Sequence, residues 1–323
     1  MAQSRLSTAL NDGALVLPKG QLAVLRPPAG YDFADLPRDR LVISHSFRPD
    51  AAWWEGSGYT VSPTPAKAAA ALVIVPRSKA LAHGLIAQAC TLAPLVIIDG
   101  QRADGIDSIF NEIRDKLGAL QSVTKAHGRL FWFAATDAFA DWAIPGPAKG
   151  ADGFITQPGV FSETGADRGS ILLAAHLPAK LPARVADLGA GWGYLSAAAL
   201  TKPGLLSLDL IEAEKLALDC AAQNIRDPRA KFLWADVNTH KPSAAYDAIL
   251  MNPPFHTTSK ADPAIGRAFI TAAQRMLAPG GHLWMVANRH LPYEAALRAS
   301  FRTVDDAGGD AAFKIFHAAR PIR

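Results

Sequence analysis

Four consecutive residues in the C-terminal part of the chain have the composition of a site that holds an amine. Asn252, Pro253, Pro254 and Phe255 directly follow the apolar run 247–251, which is typical of a buried strand. Two consecutive prolines restrict the backbone and remove two amide donors, so carbonyl oxygens and the Asn252 side-chain oxygen remain as acceptors. Phe255 adds a flat apolar face against which a ring can stack. These residues predict a pocket that accepts hydrogen bonds from an exocyclic amino group.

Such a pocket would do chemistry on the nitrogen that it holds. An amino group conjugated to a ring is a poor nucleophile because its lone pair is delocalised. Hydrogen bonds to the Asn252 oxygen and the Pro253 carbonyl would pyramidalise the nitrogen and aim its lone pair at a methyl carbon. No strong base is then needed. The structural alternative is a rigid loop that only closes the strand.

A glycine-rich turn lies upstream of this pocket. Gly189, Gly191 and Gly193 follow a short strand pattern closing on Asp187, and they allow a tight backbone turn beneath a ligand before the next helix. A dinucleotide-binding turn would need a small residue where Tyr194 stands. The turn by itself is weak evidence, and it is compatible with a methyl donor and equally with other ligands.

Two further predicted strands close on acids. Glu212 follows the turn by about 20 residues, the offset at which an acid meets ribose hydroxyls, and it directly precedes a predicted helix that begins at Ala213 and ends at Asn224. Asp209 within the strand is the alternative. Asp236 follows the run 232–235 and can accept from an adenine amino group, or else is an ordinary helix cap. The carboxyl ends of parallel strands share one edge, where a doubly wound sheet binds its ligand. We therefore expect one site lined by Asp187, Glu212, Asp236 and Asn252.

Strand and helix patterns alternate through both halves of the chain, which predicts an α/β fold with largely parallel sheets. The order of parts also recurs, because the apolar runs 70–76, 95–98 and 130–133 parallel the runs 246–252, 282–286 and 313–316. We interpret the N-terminal half as a second copy of the fold without the glycine turn. The alternative is that any α/β domain produces such an order.

Two domains are expected, 1–150 and 151–323, because 323 residues exceed the usual size of one core. A stretch rich in Ala, Gly, Pro and Asp at 136–158 is the predicted connection. Asp167 and Ser170 then lead into an apolar helix that they are suited to cap. In the first domain, Arg77 and Lys79 stand where the second has its amine pocket, and they suit phosphate contacts.

Together these motifs resemble class I S-adenosylmethionine-dependent methyltransferases with an N/D-P-P-F/Y motif. The flanking runs 159–162, 167–170, 252–256 and 278–281 make the chain similar to the bacterial ribosomal RNA guanine-N2 methyltransferases of the small-subunit type. That resemblance implies two tandem Rossmann-like domains, the first lacking the cofactor motifs and the second with a doubly wound seven-stranded sheet. It also assigns roles to residues. The glycine turn, Asp187 and Ser170 would bind the cofactor with Glu212 on its ribose and Asp236 on its adenine, and residues 252–255 would hold the guanine.

Bulk properties fit this expectation without adding to it. Half of the residues are hydrophobic and 19% are charged, which is typical of a globular protein. The net charge of +4 is compatible with a polyanionic partner but is a weak signal over this length. Cys90 and Cys220 lie in apolar contexts far apart, which argues against a disulfide or thiolate metal site. The N-terminus lacks the apolar core of a signal peptide, and no run is long enough to span a membrane.

The resulting hypothesis is a cytoplasmic, monomeric enzyme without metal or membrane association that methylates a guanine 2-amino group in ribosomal RNA or a ribosomal subunit. Two alternatives stay open. The same motif allows methylation of an adenine or a protein glutamine, and a non-catalytic RNA-binding or assembly factor could keep the fold.

Overall fold

The computed structural model describes residues 4–33, 36–254 and 262–323. The chain divides into two compact units, Met1–Gly146 and Pro147–Arg323. Within the part of the chain that the structure describes, no helix has the length and apolar character needed to cross a membrane.

The first unit contains a seven-stranded sheet with helices on both faces. Its strands are β1 (Leu22–Leu25), β2 (Leu41–Ser44), β3 (Thr60–Ser62), β4 (Ala70–Ile74), β5 (Leu95–Gln101), β6 (Ser122–Lys125) and β7 (Gly128–Ala134). Its helices are α1 (Arg5–Asn11), α2 (Arg48–Gly56), α3 (Lys79–Leu92) and α4 (Ile106–Leu117). The strand order is β3-β2-β1-β4-β5-β7-β6, with β7 antiparallel to both of its neighbours. One face packs on α3 and α4, and the other packs on Leu6 of α1 and Trp54 of α2.

The second unit opens with a small hairpin of β8 (Ala148–Lys149) and β9 (Ile155–Thr156) and then builds a second seven-stranded sheet. Its strands are β10 (Arg184–Leu188), β11 (Ser207–Glu212), β12 (Ala230–Trp234), β13 (Tyr246–Met251), β14 (Leu277–Asn288), β15 (Phe301–Gly309) and β16 (Phe313–Pro321). The helices are α5 (Arg168–His176), α6 (Tyr194–Leu200), α7 (Lys215–Asn224), α8 (Pro263–Met276) and α9 (Glu294–Ser300). The core on one face involves α8 and α9, and that on the other involves α5, α6 and α7.

The two sheets have the same topology. The second is ordered β12-β11-β10-β13-β14-β16-β15, which is the order of the first, strand for strand. Apolar runs buried on both faces explain why β1, β4, β10 and β13 lie at the sheet centres. The prediction of two tandem Rossmann-like domains, with seven strands in the second, is confirmed.

Strand register relates the positions of the two copies. The N–H of Arg26 after β1 donates to the Ser44 carbonyl at 2.8 Å, as the N–H of Gly189 after β10 donates to the Ile211 carbonyl at 2.9 Å. Both residues have positive φ, 55° and 71°. The equivalent positions are Arg26 with Gly189, His45 with Glu212, and Ile74 with Asn252. The sequence alignment that set Pro76 against Asn252 was wrong by two residues, because an apolar pattern does not fix where a strand ends.

Three predicted boundaries also differ from the structure. Asp187 is the penultimate residue of β10, Asp236 lies two residues beyond β12, and α7 begins at Lys215 and not at Ala213. Local side-chain capping accounts for the last difference, since the Glu214 carboxylate accepts from the Leu216 N–H.

Candidate active site

The glycine turn after β10 keeps three residues in the left-handed region. Gly189, Gly191 and Gly193 have φ of 71°, 56° and 93°. A Cβ on Gly193 would lie 2.9 Å from Cδ1 of Ile225, whereas one on Gly191 would meet no atom within 4 Å. Gly193 is therefore needed for close packing against the end of α7, and Gly191 leaves open space beside the turn.

Asp187 lies beneath this turn and is fully buried. Its Oδ2 accepts from Ser196 Oγ at 2.7 Å, and its Oδ1 has no partner among the described residues. Burial raises the pKa of Asp187 to about 7; the Ser196 hydrogen bond opposes this rise and the Glu212 charge adds to it. A buried carboxyl oxygen without a partner is costly, so it suits a ligand that brings a donor or a positive charge.

Glu212 is the last residue of β11 and connects two loops. Its Oε2 accepts from the Gly191 N–H at 2.8 Å, and its Oε1 accepts from the Glu214 N–H at 2.7 Å. Burial raises the pKa of Glu212, and the backbone hydrogen bonds lower it. The alternative acid, Asp209, lies within the strand and accepts from the Tyr246 hydroxyl at 2.7 Å. Glu212, unlike Asp209, is therefore held at the edge beside the turn.

Asp236 lies further along the same edge, in the loop after β12. Its Oδ1 accepts from the N–H of Asn238 at 2.9 Å and from Nδ2 of the same residue at 3.1 Å. The Ala235 N–H donates to the Glu212 carbonyl at 3.0 Å, which connects this loop to the end of β11.

Asn252 follows β13, and its side chain contacts the start of α5. Its Nδ2 donates to Oδ2 of Asp167 and to Oγ of Ser170, both at 2.8 Å. The same Asp167 oxygen accepts from the Ser170 N–H at 3.0 Å and so caps α5. With both amide protons engaged, no described residue donates to Asn252 Oδ1, which is left as an acceptor. Pro253 after it is buried and Pro254 is exposed.

One pocket collects several of these groups. It is lined by Phe161, Ser162, Asp167, Ser170, Gly189, Ala190, Gly191, Trp192, Tyr194, Leu195 and Asn252. The glycine turn and the amide of Asn252 thus face one space, which is the arrangement needed to place a bound donor group next to an amine.

A family model described as methyltransferase small domain matches residues 152–317, half of the chain. The chain belongs to the methyltransferase small domain family. The matched region covers the glycine turn, the three acids and Asn252.

Several relatives of this methyltransferase carry ribosomal RNA names. "Ribosomal RNA small subunit methyltransferase C" of Shewanella loihica is 31% identical over 261 residues, which cover 76% of each chain. "Ribosomal RNA large subunit methyltransferase G" of Streptomyces avermitilis is 35% identical over 187 residues, 54% of this chain and 47% of that one. The family resemblance inferred from the motifs is confirmed.

A solved structure also matches both units of the methyltransferase. It is the structure of a T. thermophilus 16S rRNA N2 G1207 methyltransferase in complex with AdoMet and guanosine, with a TM-score of 0.78 and 23% sequence identity. The match covers 95% of this chain and 90% of that one. At this identity the likeness shows the fold, tandem domains included.

Sequence reasoning missed part of the pocket in this methyltransferase. Phe161 is exposed, and its carbonyl accepts from Trp192 Nε1 at 3.0 Å. Trp192 lies inside the glycine turn, which was the available signal. Asp167 was predicted only as a helix cap, because nothing local reveals its contact with Asn252, 85 residues away. Phe255 lies outside the described residues, so its stacking role stays a prediction.

Proposed function

We propose that this methyltransferase transfers a methyl group from S-adenosylmethionine to the exocyclic 2-amino group of a guanine in ribosomal RNA. The observation that carries the proposal is the amide of Asn252, whose two protons are engaged by Asp167 and Ser170. Its oxygen is left as an acceptor in the pocket that the glycine turn lines.

The residues at the sheet edge fit S-adenosylmethionine. The open space beside Gly191 leaves room against the backbone, and the unpartnered Oδ1 of Asp187 offers a negative charge to the ammonium and sulfonium groups. Glu212 would hold the ribose, Asp236 the adenine amino group, and Ser170 the methionine end. When bound, the cofactor supplies an electrophilic methyl carbon.

The residues of this chain act on the amine. The Asn252 oxygen and the Pro253 carbonyl would accept hydrogen bonds from the two N–H groups of the amine. These bonds localise the lone pair on the nitrogen and orient it. Pro253 and Pro254 have fixed φ, so the acceptors are held without further loss of entropy. Phe255 would stack on the base. The amine nitrogen would form a bond to the methyl carbon as the carbon–sulfur bond of the donor breaks and S-adenosylhomocysteine leaves, and the methylated nitrogen would then lose one proton to solvent.

Ribosomal RNA is favoured as the substrate by the relatives, several of which are named ribosomal RNA small subunit methyltransferase C, and guanine by the solved structure of a 16S rRNA N2 G1207 methyltransferase with the same fold. The substrate is then ribosomal RNA or the small subunit. The first domain would position the RNA, and the second would carry the chemistry. Methylation of adenine or of a protein glutamine uses the same amine geometry and is the competing outcome.

Mass spectrometry of nucleosides from ribosomal RNA tests the proposal, comparing cells with and without the gene. We expect loss of N2-methylguanosine in one subunit and its return with the wild-type gene but not with Asn252→Ala. Loss of a methyladenosine would assign a different base. Unchanged nucleosides, together with no binding of S-adenosylhomocysteine by calorimetry, would favour the non-catalytic RNA-binding alternative.

A further inference from the structure

Asn252 and the start of α5 come together only through tertiary folding. Asp167 is the N-cap of α5, and Asn252 follows the central strand β13. The Asn252 Nδ2 lies 2.8 Å from both Asp167 Oδ2 and Ser170 Oγ. Ser170 is buried, with 9% of its surface exposed. An ordinary N-cap needs neither of these contacts, since the Ser170 N–H already satisfies it.

The chemistry of the partners decides which way the amide points. A carboxylate can only accept, so Asp167 binds the NH2 end of the Asn252 amide and disfavours its oxygen. A flipped amide would bring its oxygen against the Asp167 carboxylate and lose the charge-assisted contact, whereas the Ser170 hydroxyl can donate or accept and so does not select an orientation. The orientation is thereby set before any substrate binds.

We propose that Asp167 is a positioning residue that holds the Asn252 amide with its oxygen toward the target amine, with Ser170 as its second anchor. This inference rests on the proposed function for its consequence, but the contact itself is a property of the unliganded chain. It also explains why residue 252 is Asn here, because an Asp at this place would set two carboxylates within hydrogen-bond distance.

Exchanging the two residue types tests the contact in the full chain without ligand. Asn252→Asp should lower the thermal midpoint by roughly 2–4 °C at pH 8. This is the shift that a loss of about 1 kcal/mol in unfolding free energy produces in a unit of this size. The double variant Asp167→Asn with Asn252→Asp places an amide NH2 against a carboxylate again. Because one Asp167 oxygen both caps α5 and binds residue 252, an amide there cannot do both, so the midpoint should rise clearly above that of Asn252→Asp without reaching the wild-type value.

The pH dependence of the single variant gives a second reading. Two adjacent carboxylates share a proton, which raises the pKa of one of them, so stability is retained at low pH and lost as pH rises. The difference in thermal midpoint between Asn252→Asp and the wild-type protein should therefore be smaller at pH 5 than at pH 8. The double variant should lack this pH dependence. Other charged groups around the start of α5 are Arg168, paired with Asp310 at 2.6 Å, and Asp152, which accepts from the Ala166 N–H.

Turnover separates positioning from cofactor binding. Asp167→Ala should reduce kcat at least tenfold and change the affinity for S-adenosylhomocysteine less than threefold. Ser4→Ala, which removes the N-cap of α1, controls for the loss of a cap and should leave kcat unchanged.

Two results would overturn the proposal. One is a double variant as unstable as Asn252→Asp alone. The other is an Asp167→Ala variant that loses S-adenosylhomocysteine binding but keeps kcat, which would assign Asp167 to the cofactor. If the exchange partly restores stability and no variant or wild-type protein methylates RNA, the contact stands and the proposed function fails.

Discussion

Asp187 is a buried acid with one unpartnered oxygen among the described residues, so a bound cation would change its protonation. Burial raises its pKa to about 7, so the unliganded carboxyl is partly protonated at neutral pH. A folded pKa above the unfolded value means that this group stabilises the fold at low pH and that its contribution is lost as pH rises from about 4 through 7. Burial favours the protonated form of Asp187, whereas a bound cationic ligand would favour the ionised form and so lower its pKa.

We expect S-adenosylhomocysteine to bind roughly tenfold more tightly at pH 8 than at pH 6, because below its pKa the Asp187 carboxyl must lose a proton for the ligand to bind. Calorimetry across this pH range, in buffers of different ionisation enthalpy, measures both the affinity and the released proton. Asp187→Asn should flatten the dependence. Parallel curves for the wild-type protein and the variant would contradict this assignment.

Substitutions at Asn252 and Asp236 should distinguish an effect on turnover from an effect on cofactor binding. Asn252→Ala should lower turnover at saturating substrate by roughly 10²-fold, the order expected when a reacting group is misplaced, with little change in cofactor affinity. Asp236→Ala should mainly weaken the binding of the cofactor, with a smaller effect on turnover at saturation. Steady-state kinetics on RNA and calorimetry with S-adenosylhomocysteine distinguish the two. An Asn252→Ala protein with weaker cofactor binding and normal saturated turnover would show that the amine pocket is misassigned.

Among the structural elements, the glycine turn has two different roles. Gly193 packs closely against Ile225, and Gly191 leaves open space for a ligand. Alanine at any of these positive φ positions costs about 1–2 kcal/mol of backbone strain. Gly193→Ala adds a clash with Ile225, whereas Gly191→Ala projects a methyl group into open space.

Gly193→Ala should therefore lower the thermal midpoint of the unliganded protein more than Gly191→Ala does. Gly191→Ala should weaken the binding of S-adenosylhomocysteine at least tenfold while it shifts the thermal midpoint by only a few degrees. Scanning calorimetry and titration on the same samples measure both effects. Equal midpoints for the two variants would argue against the close packing at Gly193.

Strand register also shows which residues the first sheet has at the positions of the candidate site. Arg26 keeps the left-handed backbone of Gly189 but carries a long cationic side chain, whose Nη1 donates to Ser46 Oγ. His45 stands at the position of Glu212, and burial, together with the Arg26 charge, lowers the pKa of its imidazole to about 3. A neutral ring there offers no carboxylate to ribose hydroxyls. Ile74, at the position of Asn252, has no acceptor for an amine.

For the whole molecule, we propose that the first domain positions RNA for the second. Each unit has its own sheet and cores, so 147–323 is expected to fold alone. It should bind S-adenosylhomocysteine within about threefold of the full chain but methylate RNA poorly, because a paired guanine must leave its stack and the flanking strand needs an anchor. Full RNA activity in the isolated unit would reduce the first domain to a folding partner.

Arg77 is the better candidate for a phosphate contact in that first domain. Lys79 Nζ lies 2.6 Å from Glu112 Oε1, so its charge is largely offset, whereas Arg77 is exposed. Arg77→Ala should reduce the slope of log K against log salt for RNA binding by about 1, and Lys79→Ala should change it less. Filter binding at several salt concentrations measures the slopes. Identical slopes for wild type and Arg77→Ala would exclude the contact.

The family and the tandem α/β fold were predictable from sequence, and so was the position of Asp187, Glu212, Asp236 and Asn252 at or near strand ends. This was possible because glycines, acids and an Asn-Pro-Pro run at strand ends are local signals, and the strand pattern repeats. Other features depend on how the elements pack together, and local sequence patterns do not reveal them. Strand register set the equivalence of the two copies, and burial shifted the pKa of Asp187. Chain folding brought Asp167 onto Asn252, a contact that depends on two elements packing together across 85 residues.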